Sequence, residues 1–261
     1  MSANCNLIVF TDLDGTLIDH ETYRWDAAQP ALNALQGTSS GLVLASSKTA
    51  AEMGPLRAKM RAENWPAIVE NGAGVLEPHV TMLQDSTGYE SLRSALEDVP
   101  PNLRRLFRGF GDVSAAEVAQ MTGLTLQDAA LAQQRGFSEP GQWTGTQSEQ
   151  EEFLAQLGTH GISAQQGGRF LTLSFGRNKV DQMRRIIETY QPRHTIALGD
   201  APNDVAMLEH ADFAVVIANP HHPPLAPLKR EAEGHIVRTT VAGPAGWNVA
   251  ILDLLDRLEL R

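Results

Sequence analysis

The chain has 261 residues, of which 42% are hydrophobic and 20% charged, a balance typical of a globular protein rather than a disordered or fibrous one. With 31 acidic and 21 basic side chains the net charge is −10, and the sequence lacks the basic stripe of a nucleic-acid-binding protein. No run approaches the roughly 20 apolar residues that span a bilayer, and no secretory signal is expected. The single cysteine, Cys5, allows no internal disulfide, which favours a cytoplasmic location.

Five short apolar runs predict the strands of a parallel sheet, because continuous apolar runs are typical of strands buried on both faces. They are Leu7–Phe10, Leu42–Ala45, Ala67–Val69, Ile196–Leu198 and Ala214–Ile217. Apolar residues at helical spacing precede the fourth run (residues 183–190) and mark the end of the chain (residues 247–258). This alternation predicts an α/β fold with a doubly wound, mainly parallel Rossmann-like core.

The pattern changes between residues 86 and 176. Helices are predicted over 103–110, 127–134 and 149–157, followed by a half-exposed strand over 169–175, in which apolar and polar residues alternate. We therefore expect an inserted α+β domain at residues 86–176. The core would then be discontinuous and comprise residues 1–85 and 177–261.

Acidic residues follow two of the predicted core strands. Asp12 and Asp14 come after the first strand, and residues two apart in extended chain point to the same side. Taken alone, the Asp14-Gly15 pair could be an ordinary turn. A second acidic cluster, Asp200 to Asp204, follows the fourth strand in the same way. In a sheet of order 3-2-1-4-5 the first and fourth strands are neighbours, and the clusters meet where such sheets bind ligands. Carboxylates gathered in this way predict Mg²⁺.

The two acidic motifs together resemble those of the haloacid dehalogenase superfamily. They are Asp12-Leu13-Asp14-Gly15-Thr16 and Gly199-Asp200 with Asn203-Asp204. Ser46 and Lys179 are similar to the second and third motifs of that superfamily, and Asn71-Gly72 to a segment of its sugar-phosphatase subgroup. The long insert resembles the large α/β cap of that subgroup. The resemblance covers essentially the whole chain.

The resemblance implies a Mg²⁺-dependent phosphatase. Asp12 would be the nucleophile that forms an aspartyl-phosphate, and Asp14 the general acid and then the general base. Asp12, the main-chain carbonyl of Asp14 and Asp200 would hold Mg²⁺, and Asp204 would be either a further ligand or a support for Asp200. The phosphoryl oxygens would be bound by Ser46, Lys179, Asn71 and Lys48. Simpler interpretations are a helix cap for Ser46, a turn residue for Asn71 and surface lysines for Lys48 and Lys179.

Segments of the insert resemble the mannosyl-3-phosphoglycerate phosphatases within this superfamily: Gly109–Asp112, Met121–Leu124, Arg135–Pro140 and Gly167–Phe170. The core stretch Ser46–Glu52 is unusual for the superfamily. The implied substrate is a small phosphorylated glycoside, mannosyl- or glucosyl-3-phosphoglycerate. The residues expected to contact it are Arg135, Glu139, Gly167, Gly168 and Arg169. Arginine suits the glycerate carboxylate, glutamate accepts hydrogen bonds from sugar hydroxyls, and glycine permits close approach of the backbone. The simpler alternative is a set of ion pairs on the surface of the insert.

Three other functions remain open at this point. A general sugar phosphatase or a sucrose-phosphate phosphatase would share every core motif. A phosphomutase would share the cap type, and a non-catalytic phosphosugar-binding protein would share the fold. Asp14, placed two residues after the nucleophile, argues against a binding protein, and the insert favours a phosphatase over a mutase. The sequence leaves the sugar and the oligomeric state open, and it predicts neither a nucleic-acid partner nor a membrane.

Overall fold

Strands and helices alternate along most of the chain in the computed structural model, which describes residues 5–38, 40–83, 86–167, 169–221 and 223–261. The strands are β1 (Leu7–Thr11), β2 (Ser40–Leu44), β3 (Ala67–Val69), β4 (Gly74–Leu76), β5 (Phe107–Gly109), β6 (Ser138–Trp143), β7 (Ser163–Gly167), β8 (Phe170–Ser174), β9 (His194–Gly199), β10 (Phe213–Ala218) and β11 (Ile236–Ala242). The α-helices are α1 (Gln29–Gln36), α2 (Ala50–Lys59), α3 (Thr87–Glu97), α4 (Pro101–Arg104), α5 (Ala115–Thr122), α6 (Leu126–Ala132), α7 (Gln147–Gly158), α8 (Lys179–Tyr190), α9 (Val205–His210) and α10 (Gly243–Arg257).

The central sheet is parallel, with the order β11-β10-β9-β1-β2. Successive residues of β1 point to opposite faces, and each face is covered by helices. Leu7 and Val9 pack into a core that includes side chains of α1, α2 and α10, whereas Ile8 and Phe10 pack against α8 and α9. Helices on both faces of a parallel sheet confirm the predicted doubly wound α/β fold, and β1 lies beside β9 as the predicted strand order requires.

Two elements of this sheet differ from the prediction. The run Ala67–Val69 forms β3, which pairs antiparallel with β4, and a parallel bridge between Ala45 and Ile68 connects it to the end of β2. The fifth strand of the central sheet is instead β11, which forms the edge opposite β2. Its sequence gave no continuous apolar run, because most of its residues are exposed at the edge and include Arg238 and two threonines.

A second, antiparallel sheet has the order β5-β6-β8-β7. The predicted helices over 127–134 and 149–157 correspond to α6 and α7, and the predicted strand over 169–175 to β8. The single helix predicted over 103–110 is wrong, because α4 ends at Arg104 and the chain enters β5 at Phe107. Phe107 is buried while Arg108 points outward, a period of two that suits pairing with β6. The domain boundaries at 86 and 176 stay a prediction.

Within the described ranges, no helix combines the length and the apolar composition needed to cross a membrane.

Candidate active site

Three buried carboxylates meet where β1 and β9 end. Asp12 follows β1 and Asp200 follows β9, and the Asp12 amide donates to the Leu198 carbonyl at 2.9 Å. Asp12, Asp200 and Asp204 can each offer one carboxylate oxygen to a common point, these oxygens lying within 4.8 Å of one another. The parallel pairing of β1 with β9 brings them together, because neighbouring parallel strands end at the same edge of the sheet.

The side-chain ammonium of a lysine lies among these carboxylates. The Lys179 ammonium, at the first residue of α8, donates to Asp12 Oδ1 at 2.6 Å and to Asp204 Oδ1 at 2.7 Å. Burial opposes its charge, yet the two carboxylates hold the pKa of Lys179 above its usual range. Burial raises the pKa of Asp12 well above its ordinary value, and the charges of Asp204 and Asp200 raise it further while Lys179 opposes the shift. Among the described residues, three carboxyl groups thus share this ammonium, and additional positive charge would favour the ionised form of Asp12.

This oxygen-only set is chemically suited to a hard divalent cation. Oxygen ligands and excess negative charge are what Mg²⁺ prefers in proteins. Burial also raises the pKa of Asp200, so a bound cation would favour the ionised form of both Asp12 and Asp200. The residues present thus fit a divalent metal. Asp204 Oδ2 already accepts hydrogen bonds from the amides of Asp200 and Ala201, each at 3.1 Å, a geometry that suits support of the Asp200 loop.

Two neutral side chains fix the orientation of Asp200. Thr16 Oγ1 donates to Asp200 Oδ1 and Asn219 Nδ2 donates to Asp200 Oδ2, both at 2.7 Å. Gly15 between them has a left-handed φ of +83°, and a Cβ at this position would collide with the Asn219 amide. Asn219 was not predicted as a site residue. It follows β10 directly, as Asp12 follows β1, so the rule that found the carboxylates could have found it as well.

Asp14 lies closer to solvent than Asp12. Its side chain is 35% exposed, and the Lys48 ammonium lies 2.7 Å and 3.0 Å from its two carboxylate oxygens. Burial disfavours the charge of Lys48, but Asp14 holds the pKa of Lys48 above its ordinary value. Lys48 was predicted to bind phosphate, whereas in the structure its ammonium contacts the carboxylate of Asp14, the predicted general acid.

The loops after β2 and β3 are tied to each other. The Asn71 amide donates to the Ser46 carbonyl at 2.9 Å, and the Asn203 side-chain amide donates to Asn71 Oδ1 at 3.0 Å. Asn71 has a left-handed φ of 58°, which asparagine tolerates better than most residues. Ser46 is buried. The alternative interpretation of Ser46 as a helix cap is wrong, because the N-cap of α2 is Thr49.

Two of the predicted residues of the insert are enclosed. The Glu139 side chain has no exposed area. Its carboxylate accepts hydrogen bonds from the Tyr89 hydroxyl at 2.6 Å, the Gly111 amide at 2.7 Å and the Arg93 guanidinium at 3.1 Å. The Arg135 side chain is 6% exposed. These two residues therefore belong to internal polar networks in this structure.

Two of the remaining predicted residues of the insert, Gly167 and Arg169, lie at the adjoining ends of β7 and β8. Arg169 is exposed; its guanidinium donates to the Thr122 carbonyl at 3.0 Å and lies 5.7 Å from the centre of the Phe170 ring. Gly167 is exposed at the end of β7, and a Cβ there would meet open space. Gly168 lies outside the described residues. Of the predicted insert residues that the structure describes, Arg169 has the most accessible charged group.

Comparison with known proteins identifies the family. The family model of the haloacid dehalogenase-like hydrolases matches residues 7–212, well over half of the chain. A glucosyl-3-phosphoglycerate/mannosyl-3-phosphoglycerate phosphatase of Methanococcoides burtonii is 32% identical over 273 aligned positions, covering 96% of this chain and 97% of that protein.

Two solved structures have the same fold. A phosphatase of the haloalkanoate enzyme superfamily from Bacteroides thetaiotaomicron matches with a TM-score of 0.62 at 14% identity, covering 98% of this chain and 96% of that one. The sucrose-phosphatase of Synechocystis sp. PCC6803, solved with sucrose and phosphate, matches with a TM-score of 0.59 at 13% identity, covering 98% of each chain. The chain therefore belongs to the haloacid dehalogenase-like hydrolases.

Proposed function

We propose that this protein is a Mg²⁺-dependent phosphatase that removes the phosphate of glucosyl- or mannosyl-3-phosphoglycerate through an aspartyl-phosphate. The observation that carries the proposal is the contact of Asp12 with Lys179 beside Asp200 and Asp204, with Asp14 two residues farther along. The relative from Methanococcoides burtonii supports the choice of substrate, because it bears that activity in its name and matches nearly the whole chain.

Asp12 and Asp14 divide the chemistry between them. A carboxylate oxygen of Asp12 attacks phosphorus, and the bond from phosphorus to the glycerate oxygen breaks as Asp14 donates a proton to that oxygen. Asp14, now ionised, takes a proton from water, and the hydroxyl attacks phosphorus and releases inorganic phosphate. This step restores the Asp12 carboxylate and the protonated Asp14. The Asp14 side chain is 35% exposed, so the attacking water can reach it from solvent.

Lys179, Ser46 and Asn71 would bind the transferring phosphoryl group. Negative charge spreads over its equatorial oxygens in the transition state, so fixed donors stabilise that state more than the ground state. Lys179 already contacts the nucleophile and would neutralise charge at both partners. Mg²⁺ held by Asp12, the Asp14 carbonyl and Asp200 would offset the repulsion between nucleophile and phosphate and align the two.

The direct test is a phosphate-release assay of the purified protein with Mg²⁺. The panel contains glucosyl- and mannosyl-3-phosphoglycerate, sucrose phosphate, simple hexose phosphates and p-nitrophenyl phosphate. We expect the glycosyl-phosphoglycerates to give the highest kcat/KM. A preference for sucrose phosphate or for hexose phosphates would replace the proposed substrate and keep the phosphatase. Absence of phosphate release from every ester would contradict the proposed function.

Removal of the metal should abolish activity. Excess EDTA should remove the metal ion from the carboxylate cluster, and added Mg²⁺ should restore turnover. Ca²⁺ should bind but support turnover poorly, because its coordination shell is larger and looser. At 100 times its dissociation constant Mg²⁺ should raise the unfolding free energy by about 2.7 kcal/mol, or Tm by about 5–10 °C. Asp200→Asn should lose this thermal shift. Full turnover in excess chelator would refute the metal requirement.

Binding of the glycerate carboxylate by Arg169 predicts that Arg169→Ala loses activity mainly on substrates that carry this carboxylate. A hydrogen bond to a charged group contributes about 1.5–3 kcal/mol, so Arg169→Ala should lower kcat/KM for the glycosyl-phosphoglycerate about 10- to 150-fold and leave p-nitrophenyl phosphate nearly unchanged. Arg105→Ala is the matched control, because Arg105 is also exposed and donates to a main-chain carbonyl. Arg135→Ala is measured in parallel. Equal losses on both esters would exclude these arginines as readers of the glycerate.

A further inference from the structure

Glu70, in the loop after β3, is a buried carboxylate enclosed by the chain segment that leads into β6. Its side chain has no exposed area. Oε1 accepts a hydrogen bond from the Gly136 amide at 2.8 Å, and Oε2 accepts from the Phe137 amide at 3.1 Å and from the Ser138 hydroxyl at 2.7 Å. The Arg135 Nε atom lies 3.3 Å from Oε2. One side chain of the predicted core thus contacts four consecutive residues of the predicted insert.

The backbone of the same loop is hydrogen-bonded to the Ser46–Lys48 loop of the core. The Glu70 amide donates to the Lys48 carbonyl at 2.9 Å, just as the Asn71 amide donates to the Ser46 carbonyl. Glu70, Asn71 and Gly72 have φ values of 52°, 58° and 94°, a conformation that residues other than glycine rarely adopt. Such a strained backbone persists only where the surrounding structure requires it, which indicates that the position of this loop matters. It aims the Glu70 carboxylate at the insert while the loop keeps its contacts with the Ser46–Lys48 loop.

We propose that Glu70 is a positioning residue that fixes segment Arg135–Ser138 of the insert on the Ser46–Lys48 loop of the core. This inference rests on the proposed phosphatase function. An apolar side chain at position 70 would fill the same space without the large desolvation cost of burying a carboxylate. A carboxylate with several donors from one segment instead defines the place of that segment. The Arg135 guanidinium extends the tie, as its Nη1 donates to the Ser47 carbonyl at 3.4 Å.

The consequence concerns which substrates depend on Glu70. A glycosyl-phosphoglycerate is large enough to need the insert in register with the phosphate site. A small ester such as p-nitrophenyl phosphate depends on the core loops, and their backbone contacts do not use the Glu70 carboxylate. Glu70→Gln should therefore lower kcat/KM for the glycosyl-phosphoglycerate by about 10- to 150-fold, the range for hydrogen bonds to a charged group. For p-nitrophenyl phosphate we expect a change below about threefold.

Asp112→Asn is the matched control. The Asp112 carboxylate also accepts hydrogen bonds from two arginines, Arg93 and Arg104, and from the Gly109 amide. All of these partners lie in the predicted insert, so this variant removes a comparable network without touching the tie to the core. We expect it to leave the ratio of the two kcat/KM values unchanged. A ratio altered equally by Glu70→Gln and Asp112→Asn would overturn the proposal.

Amide hydrogen exchange tests the tie without any substrate. In Glu70→Gln the amides of Gly136 and Phe137 should exchange at least about tenfold faster, and in Asp112→Asn they should keep the wild-type rate. Ser138→Ala, which removes one donor and keeps the carboxylate, serves if Glu70→Gln does not fold. Unchanged exchange, or equal losses on both esters, would refute the positioning role. If wild type hydrolyses neither ester, the proposed function fails, and the exchange rates alone decide whether Glu70 holds the segment.

Discussion

Asp12→Asn should lower kcat by about 10³-fold or more, as expected for loss of a covalent nucleophile. Asparagine keeps the shape of the side chain and removes the charge that attacks phosphorus. Asp12 is also in contact with Lys179 at 2.6 Å, so the variant leaves that ammonium with Asp204 as its remaining carboxylate partner among the described contacts. The fold should survive, because the Lys179 ammonium keeps the Asp204 carboxylate as a partner at 2.7 Å.

The assay is phosphate release in saturating Mg²⁺, with circular dichroism to verify folding. Asp14→Asn provides the comparison. It keeps the nucleophile and removes the proposed acid and base, so it should still form a phosphoryl-enzyme with an ester whose leaving group needs no proton, such as p-nitrophenyl phosphate. Mass spectrometry after a rapid quench should find that adduct on Asp12 in Asp14→Asn and none in Asp12→Asn. An Asp12→Asn variant that keeps a tenth of the wild-type activity would remove Asp12 from this function.

The core part of the site was predictable because strand order determines which loops meet. Continuous apolar runs revealed β1 and β9, and their parallel pairing places Asp12 beside Asp200 whatever the loops do. Lys179 is the first residue of α8, the helix that the apolar spacing over residues 183–190 predicted. These positions follow from topology, which depends on burial patterns that a single sequence displays.

The contacts that join distant loops were not predictable in the same way. Whether Lys48 binds phosphate or Asp14 depends on where a long, flexible side chain finds its partner, and sequence spacing says nothing about that. The contacts of Glu70 left no signal in the sequence, since its partners lie 65 to 68 positions away along the chain. β11 escaped detection for a different reason: at the edge of the sheet it needs little apolar surface, so its burial signal is weak.

Lys179→Met should both inactivate and destabilise the protein. Methionine matches the length of lysine and removes the charge, leaving Asp12 and Asp204 buried beside Asp200 without their cation. Breaking a buried ion pair in this way costs about 3–5 kcal/mol of unfolding free energy. Loss of a charge that stabilises the transition state should also lower kcat by at least about 10²-fold. Chemical denaturation monitored by circular dichroism measures the first effect and phosphate release the second.

The stability loss should depend on pH and on Mg²⁺ in a defined direction. In wild type the pKa of Asp12 is already raised by burial, and removal of the ammonium should raise it further. A carboxyl whose folded pKa exceeds its unfolded value binds more protons when folded, so stability falls as pH rises between the two values. The stability deficit of Lys179→Met should therefore be smaller at acidic pH and grow as pH rises above the unfolded pKa of aspartate. Mg²⁺ should recover part of it by supplying positive charge to the same carboxylates.

Lys48→Met is the control, because it removes a lysine that is paired with a carboxylate outside the cluster of Asp12, Asp200 and Asp204. The Lys48 ammonium pairs with Asp14, whose side chain is 35% exposed, so water can solvate the carboxylate left behind. Its unfolding free energy should fall by about 1–2 kcal/mol, less than that of Lys179→Met, because this pair is partly exposed. Mg²⁺ should not recover the loss. Equal losses in the two variants would mean that the carboxylate cluster carries no special excess of negative charge. A stability loss of Lys179→Met that grows toward acidic pH would contradict this prediction and exclude the buried carboxylates as its cause.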